Sequence, residues 1–108
     1  MIYEMRTYTC RVGKLPLALK QFEEMLPIWE RLGIRQAGVW TVAVGECNQR
    51  MHYMIAWESY AERDTKWTAF LNDAEWIKRH EAMSASEADI YQFTSNCILI
   101  PTSFSAVR

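Results

Sequence analysis

Apolar and polar positions change period several times along the chain, and each change marks an element. Residues 2–9 mix β-branched and aromatic side chains (Ile2, Tyr3, Thr7, Tyr8, Thr9) without a helical period and stop at Val12-Gly13, which predicts a first strand closed by a turn. From Lys14 the apolar positions Leu15, Leu19, Phe22, Leu26 and Trp29 recur at alternating spacings of four and three, one face of a helix running to about Leu32. Pro16 falls in the first turn, where a missing N–H costs nothing, and Gly33 is placed to end the helix. Pro27 should kink or interrupt the last turn, because an interior proline removes a backbone hydrogen bond.

Val39-Trp40-Thr41-Val42-Ala43-Val44 reads as strand two, Gly45-Glu46-Cys47-Asn48 as a turn, and Arg50–Trp57 as strand three, together a hairpin. Ser59-Tyr60-Ala61-Glu62 is a capping-box pattern: the Ser59 hydroxyl accepts the N–H of Glu62, and the Glu62 carboxylate returns to the N–H of Ser59. A second helix starts there, with Tyr60, Trp67 and Leu71 on its apolar face. It breaks at Asn72-Asp73, where Asp73 caps a further helical stretch through Trp76, Ile77 and His80. Residues 89–100 read as a last strand, closed by Pro101 and followed by a Ser-rich tail over 102–108. The order βαββαβ predicts an α+β, ferredoxin-like sandwich with a four-stranded antiparallel sheet and its helices on one face. At 108 residues, one domain over 1–108 is expected.

Met1-Ile2-Tyr3-Glu4-Met5-Arg6-Thr7-Tyr8-Thr9 followed by Gly13-Lys14-Leu15 resembles the start of NIPSNAP-family domains. Gly38-Val39-Trp40-Thr41, Gly45, Asn48-Gln49, His52, Trp57, Tyr60-Ala61-Glu62-Arg63 and Glu75-Trp76 follow in the order such domains show. The resemblance spans essentially the whole chain. Met5 stands where Leu is usual, Ala74 where Pro often precedes Glu-Trp, and the last strand lacks the family's Arg-Leu-Leu-Pro flavour. The resemblance implies a dimeric α/β barrel, in which two ferredoxin-like units press the open faces of their sheets together. That architecture also serves cofactor-free monooxygenases, haem-handling proteins and chlorite dismutase-like enzymes, so fold alone decides no chemistry.

Composition narrows the function classes. Twelve Lys and Arg nearly balance thirteen Asp and Glu, with no block of like charge, which argues against nucleic acid and anionic membrane as partners. The longest apolar runs are far short of the roughly 20 residues that span a bilayer, and the first residues lack the pattern of a secretion signal. Three scattered Cys, with no C-x-x-C spacing, suggest neither a disulfide framework nor a zinc site, so a cytoplasmic location is expected. The chain has no Gly-rich phosphate loop, no H-E-x-x-H and no nucleophile elbow, so no metal or cofactor is expected.

Four polar residues are ligand-binding candidates. Glu4, Arg6 and Tyr8 share strand parity and leave one face. They form either a structural ion pair with its neighbour or the wall of a cavity, where a fixed guanidinium beside a phenol suits an anionic or enol-like ligand. His52, at mid-strand among apolar neighbours, is either a hydrogen-bonded core or interface histidine, or a general base or axial haem ligand. His80, beside Lys78, Arg79 and Glu81, is expected in solvent. Two functions remain open: a homodimeric protein holding a small apolar or aromatic molecule without an established reaction, or a cofactor-independent monooxygenase- or isomerase-like enzyme. Convergence of Arg6, Tyr8 and His52 on one point of a closed pocket would favour the enzyme. Strands two to four are apolar on both faces, more than two helices can cover, so a homodimer through the open face is also expected.

Overall fold

A computed structural model describes the backbone of residues 1–108 and the side chains of residues 1–83 and 89–108. Strand β1 (Ile2–Cys10) leads into helix α1 (Leu15–Leu32), then β2 (Arg35–Thr41), β3 (Arg50–Trp57), α2 (Tyr60–Leu71), α3 (Ala74–Ile90) and β4 (Tyr91–Leu99). The sheet order is β2-β3-β1-β4 and every neighbouring pair is antiparallel. This is the ferredoxin-like α+β arrangement, with the second helix divided in two.

Local chemistry accounts for the boundaries. Gly33 ends α1 at φ 74°, and its N–H and that of Ile34 close the last turn on the carbonyls of Glu30 and Trp29. Pro27 sits inside α1 without dividing it, so of the expected kink or interruption the interruption does not occur. Ser59 caps α2, its hydroxyl accepting the Glu62 N–H at 3.1 Å. The return bond differs from the expected capping box: the Glu62 carboxylate accepts from the N–H of Glu58 at 3.4 Å. Asp73 caps α3 by accepting the Trp76 N–H at 3.0 Å, and it also receives Arg31 at 2.9 Å. Ser59→Ala should therefore cost about 1 kcal/mol in urea denaturation, as N-cap losses usually do; an unchanged midpoint would mean that the cap carries no stability.

Strand β2 departs from the expected Val39–Val44. It begins at Arg35, directly after the helix cap, and a bulge between Gln36 and Gly38 resets its register on β3. Val42, Ala43 and Val44 pass into the loop, where Val44 is fully exposed, because β3 starts only at Arg50 and offers them nothing to pair with. At the other end, α3 runs on through Asp89 and Ile90, which the sequence had suggested were strand. Ile90 is buried from that helix against Cys10 and Ala18, and its carbonyl accepts the Arg11 N–H at 2.8 Å.

The register fixes two faces. Ile2, Glu4, Arg6 and Tyr8 of β1 lie beside Trp57, Ile55, Tyr53 and Met51 of β3, and these face the helices, where Met25, Ile28 and Trp29 of α1 and Phe70 of α2 complete the core. The alternate positions, Met5, Thr7, His52, Met54, Trp40, Cys97 and Leu99, share the opposite face. Among the described residues no helix packs on that second face.

Candidate functional site

Glu4 is the hub of the helix-covered face. Its side chain has no solvent exposure, yet it accepts five hydrogen bonds: Arg63 at 2.9 and 3.1 Å, Asn96 at 2.8 Å, Arg6 at 3.0 Å and the Trp57 indole at 3.1 Å. Burial alone would raise its pKa. The hydrogen bonds from Arg63, Asn96 and Trp57, with the charge of Arg63, outweigh that and hold the carboxyl at about 2. One carboxylate thus ties together β1, β3, α2 and β4, a satisfied network of the kind a buried charge requires.

Arg6 links that hub to an aromatic chamber. It donates through Nε to the Tyr53 hydroxyl at 2.8 Å, through Nη1 to Glu4, and through Nη2 to the Tyr8 hydroxyl at 3.2 Å. Its guanidinium also lies 4.9 Å from the centre of the Trp67 ring, within cation–π range. Burial by itself would lower the Arg6 pKa, but the nearby phenols and the bonds to Tyr8 and Glu4 leave it raised. Burial pushes the Tyr53 phenol up, as does Tyr8, against the opposing pull of Arg6.

Beyond Arg6 lies a cavity of about 300 Å³ between the sheet and all three helices. Its wall is a run of touching rings: Phe22 to Tyr53 at 4.7 Å, Trp29 to Trp67 at 6.1 Å, Trp67 to Phe70 at 5.2 Å, Phe70 to Trp76 at 4.6 Å, and His80 stacked on Trp76 at 5.4 Å. Leu71, Met25, Met51 and Met83 line the rest, while Arg6, Tyr8, Tyr53, Tyr91 and Gln21 are polar members. The Trp29 Nε1 donor and the Gln21 Oε1 acceptor are buried beside it without a hydrogen-bond partner among the described residues. Volume and lining are those of a small-molecule pocket at the low end of the usual range.

Of the residues singled out from sequence, Arg6 and Tyr8 reach the cavity and Glu4 stands behind them. His52 does not join them: it pairs with Thr7 and Trp40 on the uncovered face, where its Nδ1 and the Thr7 Oγ1 share a hydrogen bond of 3.0 Å. Strand parity decides this, since His52 and Tyr53 must point to opposite faces and Tyr53 is the one beside Arg6. The convergence of Arg6, Tyr8 and His52 that would favour the enzyme is therefore absent, and Tyr53 holds the third place. His80, expected in solvent, is half-buried on the cavity wall. Among the described residues no group of three or more His, Cys, Asp or Glu could hold a metal ion, and no helix is long and apolar enough to cross a membrane. Cys10 is buried, and burial, with Cys47 nearby, pushes its thiol up, away from a reactive thiolate.

A two-layer fold of this order, with an aromatic chamber under its helices, defines a ferredoxin-like α+β protein with an internal cavity. The NIPSNAP family profile matches residues 3–106, and the chain belongs to the NIPSNAP family. An uncharacterized NIPSNAP domain protein from Burkholderia xenovorans is 26% identical, with a TM-score of 0.81, the match covering 97% of this chain and 98% of that one. A NIPSNAP family protein from Agrobacterium tumefaciens strain C58 is 25% identical, with a TM-score of 0.84 and coverage of 99% and 98%. An antibiotic biosynthesis monooxygenase shares the fold at 8% identity, with a TM-score of 0.62 and coverage of 94% and 99%. No curated protein matches the chain. The Burkholderia relative is described as uncharacterized, and the monooxygenase likeness concerns the fold alone.

Proposed function

We propose that this NIPSNAP-family protein binds a small, predominantly aromatic molecule in the cavity between its sheet and helices, and works as a cytoplasmic homodimer. The observation that carries the binding reading is the roughly 300 Å³ chamber walled by aromatic rings and methionines, with Arg6, Gln21, His80 and three tyrosines as its polar members. At about 30 Å³ per water-sized unit of liquid, that space holds a ligand of roughly ten units, the scale of a substituted ring. Three free thiols suit a reducing compartment. The enzyme alternative loses its general base, because His52 lies across the sheet from Arg6. Binding without an established reaction is therefore the reading the geometry supports.

Nitrobenzene tests it, since nitroaromatics quench tryptophan and Trp29, Trp67 and Trp76 all line the chamber. Quenching should saturate with the probe and be relieved by naphthalene. Met25→Trp, which fills the space from α1, should weaken binding by about tenfold, roughly 1.4 kcal/mol, while circular dichroism stays native. Quenching that rises linearly with probe, with no saturation and no competition, would rule the pocket out.

A further inference from the structure

The cavity's donors and acceptors are unequal in number, and its charge is unbalanced. Arg6 can only donate, and two of its five N–H groups have no partner among the described residues. Tyr8 and Tyr53 each accept from Arg6, so each hydroxyl still has its own proton to give. At most one of these can be passed from one phenol to the other, which leaves at least one O–H directed elsewhere. The buried Trp29 indole adds an unpartnered donor. Against these stands the Gln21 Oε1 acceptor, with the His80 ring and the Tyr91 phenol also on the wall, which leaves the donors around Arg6 in excess. The Glu4 carboxylate is excluded from this count, because its two oxygens already take five hydrogen bonds.

Charge points the same way. Glu4 is shared by Arg6 and Arg63, and Arg63 is also paired with the exposed Asp64 at 3.9 Å, so the positive charge that faces the cavity is that of Arg6. Among the described residues no Asp or Glu lines the cavity. A site with surplus directed donors and a positive charge in apolar surroundings favours an oxygen anion, the logic of an oxyanion hole.

Resting on the binding reading above, we propose that the ligand is a planar aromatic with an acidic hydroxyl, bound as its phenolate or enolate with the oxygen on Arg6, Tyr8 and Tyr53. A single acceptor oxygen fits better than a carboxylate. Both phenol hydroxyls sit against one edge of the guanidinium, Tyr53 at Nε and Tyr8 at Nη2, so their O–H groups and that edge favour one oxygen; the N–H groups left on Nη1 and Nη2 make a carboxylate the competing ligand. The rings of Phe22, Trp29 and Trp67 supply the faces on which the aromatic body rests.

4-Nitrophenol is the probe, because its colour reports its own ionisation. Bound to the protein it should deprotonate at lower pH than when free, and its anion should bind more tightly than nitrobenzene, which has no acidic oxygen, and than 4-nitrobenzoate. Arg6→Met should weaken the 4-nitrophenolate complex by about tenfold or more and Tyr8→Phe by roughly fivefold, the scale of a charged and of a neutral hydrogen bond. Nitrobenzene affinity should move little in Tyr8→Phe, which keeps the ring and the fold. If Arg6→Met does not fold, the Tyr8→Phe comparison and the colour shift decide alone. Binding of nitrobenzene and 4-nitrophenol with equal affinity and no colour shift would overturn the anion proposal and leave the cavity reading standing. Tighter binding of 4-nitrobenzoate would overturn the single-oxygen assignment. Failure of all three probes to bind would sink both.

Discussion

Glu4→Gln should destabilise the protein by about 3 kcal/mol at neutral pH, a large share of a typical 5–15 kcal/mol of folding stability. The substitution keeps the shape and one acceptor oxygen, but it leaves Arg6 and Arg63 without their carboxylate and turns an amide N–H toward donors. Arg6 is mostly buried and Arg63 a quarter exposed, so the charge left by Arg6 is the more costly. The pH dependence follows from the same network. The folded state holds the Glu4 carboxyl at about 2 against an ordinary value of 4.5, so the native protein binds fewer protons than the unfolded chain as the solution is acidified. This contribution is complete above about pH 4.5 and is lost as pH falls toward 2. The shift corresponds to about 3 kcal/mol at most, and screening through the partly exposed Arg63 reduces it to about 2 kcal/mol. Urea denaturation at pH 7 and pH 3 should show the gap between wild type and Glu4→Gln closing by roughly 1–2 kcal/mol at the lower pH. A gap that stays constant with pH would mean that the Glu4 charge is not what holds β1, β3, α2 and β4 together.

How much of this was legible in the sequence depends on whether local pattern or tertiary pairing decides each feature. Helix α1, the Ser59 and Asp73 caps and the break between α2 and α3 are set within a few residues by spacing and side-chain acceptors, and they stand where the pattern places them. Strand β2 is different. Its first half, Arg35-Gln36-Ala37-Gly38, is poor in strand formers and is held by pairing with β3, while the better strand formers Val42-Ala43-Val44 find no partner and become loop. Propensity reports how a residue suits a pleated surface, not whether a neighbouring strand is present.

The site divides along the same line. Parity within β1 put Glu4, Arg6 and Tyr8 on one face, because that relation is internal to one strand. It could not say which parity of β3 meets them, and a one-residue change in register exchanges His52 for Tyr53. The partners of Glu4 from α2 and β4, Arg63 and Asn96, lie 59 and 92 residues away. No local signal joins them to Glu4. The missed cavity residues follow the same reasoning: Trp67 and His80 read as an ordinary helical face and a solvated helix surface, and only the packing of α2 and α3 over the sheet turns them inward.

Met54→Glu should convert the protein from a dimer of about 25 kDa to a monomer or an aggregate, twice the 12.7 kDa chain being the mass expected of the wild type. Met54 stands on the face that no helix covers, with Gly38 of β2 on one side and Met5 of β1 on the other. Around it, Trp40, Phe93 and Leu99 are 47%, 51% and 44% exposed. Trp40 lies across Gly38, where even a methyl group would meet its ring at 2.4 Å, so the indole covers the sheet surface instead of standing away from it. An apolar sheet face of this kind is what a soluble monomer rarely leaves in water. A two-fold axis allows the same patch to cover itself, which is the simplest partner for a chain whose single helical layer covers the other side of the sheet. A charge at Met54 would be repeated by symmetry and placed opposite or near its own copy, so its effect on association is doubled. Val42, a natural first choice while it was read as strand, lies in the loop after β2 and would report little. Light scattering at micromolar concentration is the measurement. Wild-type protein that runs as a folded monomer, or Met54→Glu that remains a dimer, would show that the uncovered face is not the interface.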